Sequence, residues 1–252
     1  MPSVNLTLYS GDLSAYEAQT RSYEAIKDWV AKSGTSYGLT GNIEQMDEIE
    51  KELLEGVLPS ELKPSTGPLV LTAPTSLALP TLKIDLSPSQ GVQKTVRNFL
   101  TFASHPLEFK SKRSPFPLLG YTTEAGSKVF RVEKGFVAQM GDVTRGDGSG
   151  GESIYGPTFN DEKEGLKTPF KQGTVAMANS GKNSNSSQFF ITLTSSPGQL
   201  SKLTGKYVAF GQIDLSDDRH RVCLDRLSEL ADGLGKGGTT EKVWIGGCEV
   251  EN

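Results

Sequence analysis

The sequence predicts a mainly β protein, a closed eight-stranded antiparallel barrel capped by two helices, with an α-helical hairpin extension before it. The chain has 252 residues and 28 glycines, which points to many tight turns between short elements. Short apolar runs typical of strands follow one another after residue 67, whereas the first 65 residues show helical spacing. Closure into a barrel is favoured because it leaves no unpaired sheet edge.

The first region, residues 1–65, differs from the rest in charge, with 11 Asp and Glu against 5 Lys and Arg. At its start Val4, Leu6 and Leu8 alternate with polar residues, which predicts one short strand. We expect residues 1–65 to form an acidic helical extension and linker, and residues 66–252 to form the barrel domain.

Two capping-box patterns predict the helices of the hairpin. Ser14 and Glu17 open the first, and Asn42 and Gln45 open the second. The stretch between the helices is rich in Gly, Ser and Thr, as expected for a connection. We interpret the second helix as a solvated acidic face whose apolar stripe docks on the rest, the stripe being Ile43, Met46, Ile49, Leu53 and Val57.

The barrel strands and helices are predicted from apolar runs and stripes. One helix is expected from Ser89, because Val92, Val96 and Phe99 recur at helical spacing, and another over Asp218–Ala231. The eight runs expected to form strands are Leu69–Ala73, Leu82–Leu86, Lys128–Val132, Phe136–Met140, Thr174–Ala178, Gln188–Thr192, Tyr207–Ile213 and Val243–Val250.

Composition excludes several classes of protein. No apolar run is long enough to span a bilayer, and the N-terminal stretch has neither the basic nor the apolar region of a targeting peptide. Cys223 and Cys248 are too few for a disulfide framework, and with His105 and His220 they show no zinc-ligand spacing. The net charge of −4 argues against nucleic-acid binding. We therefore expect a monomer in the cytoplasm or the nucleus, with neither membrane nor nucleic acid as a partner.

Familiar catalytic motifs are also missing. The segment 146–151 fits the pattern of a glycine loop that cradles phosphates, but the residues after it, with Pro157 among them, cannot open a helix. The two histidines have no nucleophile motif beside them, and the acidic residues form no metal or paired-acid motif. If the protein is an enzyme, its chemistry is expected to need no covalent intermediate, metal or cofactor.

Two long segments nevertheless carry a specific resemblance. Val129–Asp142, which reads VFRVEKGFVAQMGD, and Met177–Thr192, which reads MANSGKNSNSSQFFIT, resemble the two signature segments of cyclophilins. The glycine-rich stretch 144–156, the helix segment 94–99 and the strand segment 205–211 are similar to further cyclophilin segments. The likeness runs from Gly67 to the C-terminus and leaves residues 1–65 uncovered. It implies a fold that agrees with the barrel predicted from the pattern.

The resemblance implies peptidyl-prolyl cis/trans isomerisation, and therefore proline-containing polypeptides as partners. Arg131 stands at the catalytic position of the family, where a guanidinium would donate to the prolyl nitrogen as the amide twists. The other positions carried over would bind substrate in and beside a proline pocket. They are Phe136, Val137, Gln139, Ala178, Asn179, Ser180, Gln188, Phe190, Leu203 and Tyr207.

Several positions depart from the family pattern. Val137 replaces a pocket Met, which should leave the pocket roomier, and Tyr207 replaces a His at the rim. The rim Trp of many members is missing, and Lys202 is nearest to its position. These departures predict reduced affinity for cyclosporin-type macrocycles while isomerase activity persists.

A second hypothesis remains open beside the enzyme. The chain would be a non-catalytic module that captures proline-containing segments, with the helical extension as an adaptor for a partner. The altered rim and the acidic extension motivate this alternative, and a proline-peptide turnover assay separates the two.

Overall fold

The protein is a mainly β structure built around one large antiparallel sheet. A computed structural model describes residues 2–104, 106–108, 114–115, 118–232 and 237–251. Eight strands pair in the order β10-β1-β2-β9-β7-β8-β6-β5, and β3 and β4 form a separate pair. The strands are β1 Ser3–Ser10, β2 Leu82–Leu86, β3 Leu107–Glu108, β4 Leu118–Leu119, β5 Val129–Glu133, β6 Val137–Met140, β7 Thr174–Met177, β8 Phe189–Thr192, β9 Ala209–Ile213 and β10 Val243–Glu251.

The eight-stranded sheet curls until its two end strands meet. Lys128, just before β5, pairs with Trp244 of β10 in an antiparallel bridge. The N–H of Ile245 donates to the carbonyl of Ser127 over 2.7 Å. This narrow seam closes the barrel, so the predicted eight-stranded antiparallel barrel is confirmed.

Two of the helices contribute to the barrel core. The helices are α1 Leu13–Ser33, α2 Glu48–Val57, α3 Gln93–Ser104, α4 Lys163–Lys167, α5 Pro197–Leu200 and α6 Asp218–Glu229. Phe99 of α3 and Leu227 of α6 are fully buried in the same core as the inward side chains of the strands. The prediction of two barrel helices is confirmed, whereas α4 and α5 are too short to give a periodic pattern. No helix in the described part of the chain is long and apolar enough to cross a membrane.

One of the eight barrel strands is not the one that the sequence predicts. β1 pairs with both β10 and β2, and its Val4, Leu6 and Leu8 are completely buried. The expected strand Leu69–Ala73 does not form. Leu69, Val70 and Leu71 instead pack, partly buried, against a second apolar core that is separate from that of the barrel.

The chain accordingly divides differently from the predicted boundary at residue 65. One compact unit comprises Met1–Gly11 and Ala78–Asn252, and the other comprises Asp12–Leu77. The helical region is thus inserted between β1 and β2 of the barrel rather than placed before the whole barrel.

Within the helical unit the caps differ from those predicted. α1 begins at Leu13 because the side chain of Asp12, not Ser14, accepts from the N–H of Ala15. Asn42 caps only a short 3-10 turn, and α2 begins at Glu48 under a capping box of Asp47 and Glu50. The sequence offers several Asp, Asn and Ser residues that can cap a helix. The residue directly before the first helical residue is the one that does so.

α2 docks only part of the stripe that its sequence predicts, with Val57 packed against the core of the helical unit. Leu54 is fully buried in the core of the helical unit, whereas Ile49 and Leu53 are exposed. Ile43 and Met46 are buried, but they lie in the turn before the helix. Because α2 starts six residues after Asn42, the periodicity counted from Asn42 points to the wrong face. The rest of this core consists of Tyr23, Ile26, Val30, Leu39 and Leu58.

Strand alternation separates the two faces of the barrel wall. Ala138 and Met140 of β6 point into the barrel core, and Phe189 and Ile191 of β8 do the same. Their neighbours Val137, Gln139, Phe190 and Thr192 therefore point away from the barrel core, and this outer face of β5, β6, β8, β7 and β9 carries the site.

Candidate active site on the outer barrel wall

A row of directly opposed residues crosses five of the strands. Arg131 on β5 lies opposite Gln139 on β6, and Gln139 lies opposite Phe190 on β8. The row continues from Phe190 to Ala176 on β7 and then to Ala209 on β9. Opposed residues in antiparallel strands share a face, so the guanidinium and the phenyl ring stand on one wall with an amide between them.

On one side of this row lies an apolar pocket. We define the apolar pocket by the cluster Val137, Phe170, Ala176, Ala178, Phe190, Leu200, Leu203 and Ala209, with Phe136 and Tyr207 packed against it. The ring of Tyr207 meets that of Phe190 edge-on, with 5.2 Å between the centroids. Six of the predicted substrate residues therefore meet in one cluster.

Four members of the apolar pocket were not predicted from the sequence: the two small residues Ala176 and Ala209, and the larger Phe170 and Leu200. The ring of Phe170 stacks on that of Phe190, with centroids 6.1 Å apart and planes inclined by 13°. Leu200 comes from the short helix α5. Neither Phe170 nor Leu200 lies in a segment that carries the resemblance, and the only available signal for Phe170 is an apolar residue four positions before the start of a predicted strand.

The Arg131 side chain is half exposed and is held by two neighbours. Its Nη1 donates to Oε1 of Gln139 over 3.3 Å, and its Nη2 forms an ion pair with the Glu133 carboxylate. Gly237 lies against the stem at a φ of 77°, and a Cβ there would come within 2.5 Å of Arg131 Cγ. Glu133 was not predicted, although its place two residues beyond Arg131 on the same strand face is a usable signal.

On the other side of the row lies a polar pocket of about 250 Å³. Nε2 of Gln139 donates to Oε1 of Gln188 over 2.8 Å. Nε2 of Gln188 in turn donates to the carbonyls of Gly148 and Gly150, over 3.0 and 2.9 Å. A continuous chain of hydrogen bonds therefore links Arg131 to the glycine-rich loop. The polar pocket is lined by Gln139, Gly148, Ser149, Gly150, Gly151, Thr158, Ala178, Asn179, Ser180, Ser184, Ser186 and Gln188.

The glycine-rich loop is organised around a buried carboxylate. Asp142 accepts from the N–H groups of Thr144, Arg145, Gly148 and Gly150 and from the hydroxyl of Thr144. Burial by itself raises the pKa of Asp142, but these donors outweigh burial and hold its pKa below the ordinary value. The loop that matches a phosphate-binding pattern in sequence is thus folded around a carboxylate of its own chain.

Asn179 and Ser180 lie at the turn that edges the polar pocket. Nδ2 of Asn179 donates to the carbonyl of Lys206 over 3.0 Å, and its Oδ1 accepts from the N–H of Gly181. The N–H of Ser180 donates to Oγ of Ser184. Both residues line the polar pocket, and Asn179 also fixes the turn.

The arrangement defines a class of site. The guanidinium of Arg131 and the amides of Gln139 and Gln188 lie between the apolar pocket and the polar pocket. None of the described residues forms a cluster of three metal-ligating side chains. Such a surface can bind an apolar ring of a ligand, hold the ligand's peptide chain by hydrogen bonds, and place a hydrogen-bond donor where charge develops. It suits binding and conformational change of an extended peptide.

Comparison with known proteins gives the family. The model of the family described as cyclophilin type peptidyl-prolyl cis-trans isomerase matches residues 75–250. The chain belongs to this family, so the resemblance seen in the two signature segments is confirmed.

Curated relatives include two isomerases. The chain is 42% identical over 148 residues to "Peptidyl-prolyl cis-trans isomerase D" of Kluyveromyces lactis, an alignment that covers 59% of the chain and 37% of that relative. It is 51% identical over 112 residues to "Peptidyl-prolyl cis-trans isomerase 9" of Caenorhabditis briggsae, which covers 44% of the chain and 33% of the relative. The chain therefore spans only about a third of the length of these relatives.

A solved structure is also similar. The crystal structure of a cyclophilin type peptidyl-prolyl cis-trans isomerase of Cryptosporidium parvum is 29% identical, with a TM-score of 0.49. The similarity covers 68% of the chain and 91% of that structure.

Proposed function

We propose that this chain is a peptidyl-prolyl cis/trans isomerase that accelerates rotation about X–Pro bonds in protein substrates and so assists folding. The observation that carries the proposal is the row Arg131–Gln139–Phe190, which brings a cation beside an aromatic pocket. Family membership and the named relatives support the same activity.

The energetics of the reaction fit a site of this kind. Rotation about a peptide C–N bond loses amide resonance, a barrier of about 18–20 kcal/mol. An uncatalysed X–Pro bond isomerises in tens to hundreds of seconds, so reaching milliseconds requires about 7 kcal/mol of transition-state stabilisation. The twisted prolyl nitrogen regains a lone pair, and a donor to that lone pair favours the transition state over the planar amide. Such a charge-assisted hydrogen bond contributes about 1.5–3 kcal/mol, so most of the stabilisation must come from elsewhere.

The two pockets supply the remainder in this proposal. The apolar pocket holds the proline ring and excludes water, with Phe136, Val137, Phe190 and Leu203 in contact with the ring and Tyr207 at the rim. A water-poor, preorganised cleft strengthens the polar contacts that form as the bond twists.

The polar residues hold the substrate chain beside the bond that rotates. Gln139 positions Arg131 and is within reach of a substrate carbonyl, while Asn179 and Ala178 border the substrate backbone. Gln188 and Ser180 accept the residues that precede proline in the polar pocket. Arg131 is the one catalytic residue, because it alone donates to the reacting nitrogen.

A turnover assay tests the proposal. NMR exchange spectroscopy on a Xaa-Pro peptide should show catalysed exchange with the intact protein, and Arg131→Ala should lower the exchange rate by about a hundredfold, given the size of a charge-assisted bond. Arg131→Lys is the matched control, since it keeps the charge but loses the rigid fork, and should retain part of the activity. Equal exchange rates for Arg131→Ala and the unaltered protein would refute the catalytic role.

A second function, binding of proline segments without catalysis, has one observation in its favour. Glu133 pairs with Arg131 and so competes with the substrate for the guanidinium. The same spectra separate the functions, because a pure binding module would shift the peptide resonances without speeding their exchange. Glu133→Gln should then raise turnover if the ion pair restrains the enzyme.

We further propose that the protein works as a monomer in the cytoplasm or the nucleus. The bridge between Lys128 and Trp244 joins the two end strands of the sheet, which supports a barrel that is complete within one chain. Burial raises the pKa of both Cys223 and Cys248 to about 12, so both thiols stay protonated and weakly reactive at neutral pH. Sedimentation equilibrium and fractionation of cells test these two statements.

A further inference from the structure

The helix α2 has a second apolar face besides the one that it buries. Leu54 and Leu58 point into the core of the helical unit, with 0% and 3% of their surface exposed. Ile49 and Leu53 point away from that core and are 76% and 42% exposed. Ile49 is the most exposed large hydrophobic side chain in the described part of the chain, and it lies on a helix that already has a buried face.

The exposed residues form one continuous strip. Ile49 and Leu53 are four residues apart and therefore neighbours on the helix surface. Gly56 comes three residues later on the same side, and a Cβ built on it would find no atom within 4 Å. We call Ile49, Leu53 and Gly56 the α2 stripe. The two aliphatic side chains with a small residue beside them offer a place where another helix can approach closely.

A row of glutamates runs along one edge of the α2 stripe. Glu48, Glu52 and Glu55 follow one another at spacings of four and three residues, and all are exposed. Glu48 pairs with Lys51, but in the described part of the chain neither Glu52 nor Glu55 forms an ion pair. The helical unit as a whole, residues 12–77, carries 11 acidic and 5 basic side chains.

We propose that the α2 stripe is the docking surface for a basic amphipathic helix of a partner protein. Apolar side chains at helical spacing would cover Ile49 and Leu53, and Lys or Arg along one edge of the partner would face Glu52 and Glu55. A second copy of this chain is a poor occupant, because it would bring an equally acidic unit against the first. An anionic membrane or a nucleic acid is repelled for the same reason.

The size of the surface sets the expected strength. Two helical turns bury far less area than a stable protein–protein interface, so binding should be weak and reversible, in the micromolar range. Because the glutamates are exposed, added salt should weaken it, as the screening length falls from about 8 Å at 0.15 M to about 3 Å at 1 M salt.

Titration of the full chain with a synthetic helix tests the proposal. The probe is an amphipathic peptide of about five turns with Leu on one face and Lys along one edge of it, followed by fluorescence anisotropy. We expect micromolar binding that falls about tenfold in the double variant Ile49→Ser with Leu53→Ser, because the apolar anchors are lost. Val222→Ser is the matched control, since Val222 is also an exposed aliphatic residue of a helix, 57% exposed on α6.

The charge edge is tested separately, in variants that leave the helix packing unchanged. Glu52→Gln with Glu55→Gln should weaken binding and reduce its dependence on salt. A probe with Glu in place of Lys should not bind. The proposal is overturned if the stripe variants bind like the unaltered chain, if both probes bind equally, or if sedimentation shows a dimer that Ile49→Ser dissociates, which would make a second copy the occupant.

Discussion

The apolar pocket and the polar pocket lie on either side of the same row of residues, yet they are held together by different forces. The apolar pocket depends on packing, with Phe170 stacked on Phe190 and Tyr207 meeting Phe190 edge-on. The polar pocket depends on a chain of hydrogen bonds from Gln139 through Gln188 to the glycine-rich loop. Gln139 and Ala178 lie where the two meet.

This difference predicts how mutation and pH should affect each of the two pockets. Packing is insensitive to pH and degrades with lost volume. A chain of hydrogen bonds that ends at a carboxylate is sensitive to pH. It loses stability when one of its side chains is replaced, even by a side chain of the same volume. The following experiments probe that contrast.

The largest effect is expected from the stacked rings of the apolar pocket. Phe170→Ala should lower the free energy of unfolding by about 3 kcal/mol, the lower end for a buried Phe, and should raise KM because Phe190 loses its support. Phe170→Leu keeps most of the volume and should cost less. Urea unfolding and peptide kinetics measure both quantities, and an unchanged KM in Phe170→Ala would separate Phe170 from the pocket.

The next effect should come from Asp142 and should depend on pH. Its folded-state pKa lies below the unfolded value of about 3.9, so its stabilisation is present above that pH and is lost as the pH falls through the folded-state pKa. Asp142→Asn should lower the free energy of unfolding by about 1–3 kcal/mol at neutral pH and less in acid. Urea titrations between pH 2 and pH 8 check the sign, and a deficit that is constant with pH would contradict it.

A smaller effect is expected for the middle of the hydrogen-bond chain. Gln188→Met keeps the length of the side chain but removes its link to Gln139 and to the loop, and should lower kcat/KM about tenfold, equivalent to one hydrogen bond. Gln212→Met is a matched control, since the Nε2 of Gln212 also donates to two backbone carbonyls but lies outside both pockets. Equal losses in the two variants would mean that only general stability is affected.

The smallest change concerns the rim. Lys202 is exposed in the turn after α5, next to Leu203 of the apolar pocket. Lys202→Trp should increase inhibition by cyclosporin while peptide turnover changes little, because the substitution adds rim surface without altering either pocket. Strong inhibition of the unaltered protein would contradict the predicted low affinity.

Sequence reasoning predicted the parts of the site that lie on regular strands. Alternation within Gln188–Thr192 gives opposite faces to Phe189 and Phe190, and the structure buries Phe189 in the barrel core and Phe190 in the apolar pocket. Arg131 and Gln139 follow from the resemblance, and strand pairing places them opposite each other.

The parts that sequence reasoning missed depend on contacts between distant segments. β1 looked like part of the extension because it precedes the helices, and its partner Leu82–Leu86 lies more than seventy residues away. Phe170 belongs to the apolar pocket through a ring contact with Phe190, and Leu200 belongs to it because a four-residue helix places it there. Neither feature produces a recognisable pattern in the local sequence. Long-range pairing and short irregular segments carry little signal in a single sequence.

Because the helical unit is inserted between β1 and β2, we expect that it can be replaced without loss of a barrel strand. Tyr9 and Ala78 form a bridge, so the chain leaves the barrel and returns to it at adjacent points. A protein that starts at residue 67 would lose a central strand, whereas replacing residues 12–77 by a tight turn would spare every strand. Shortening that connection from 66 to a few residues should also reduce the entropy cost of closing it, by about 2–3 kcal/mol. A different insert could therefore be grafted at this position while the outer barrel wall that carries the candidate site stays intact.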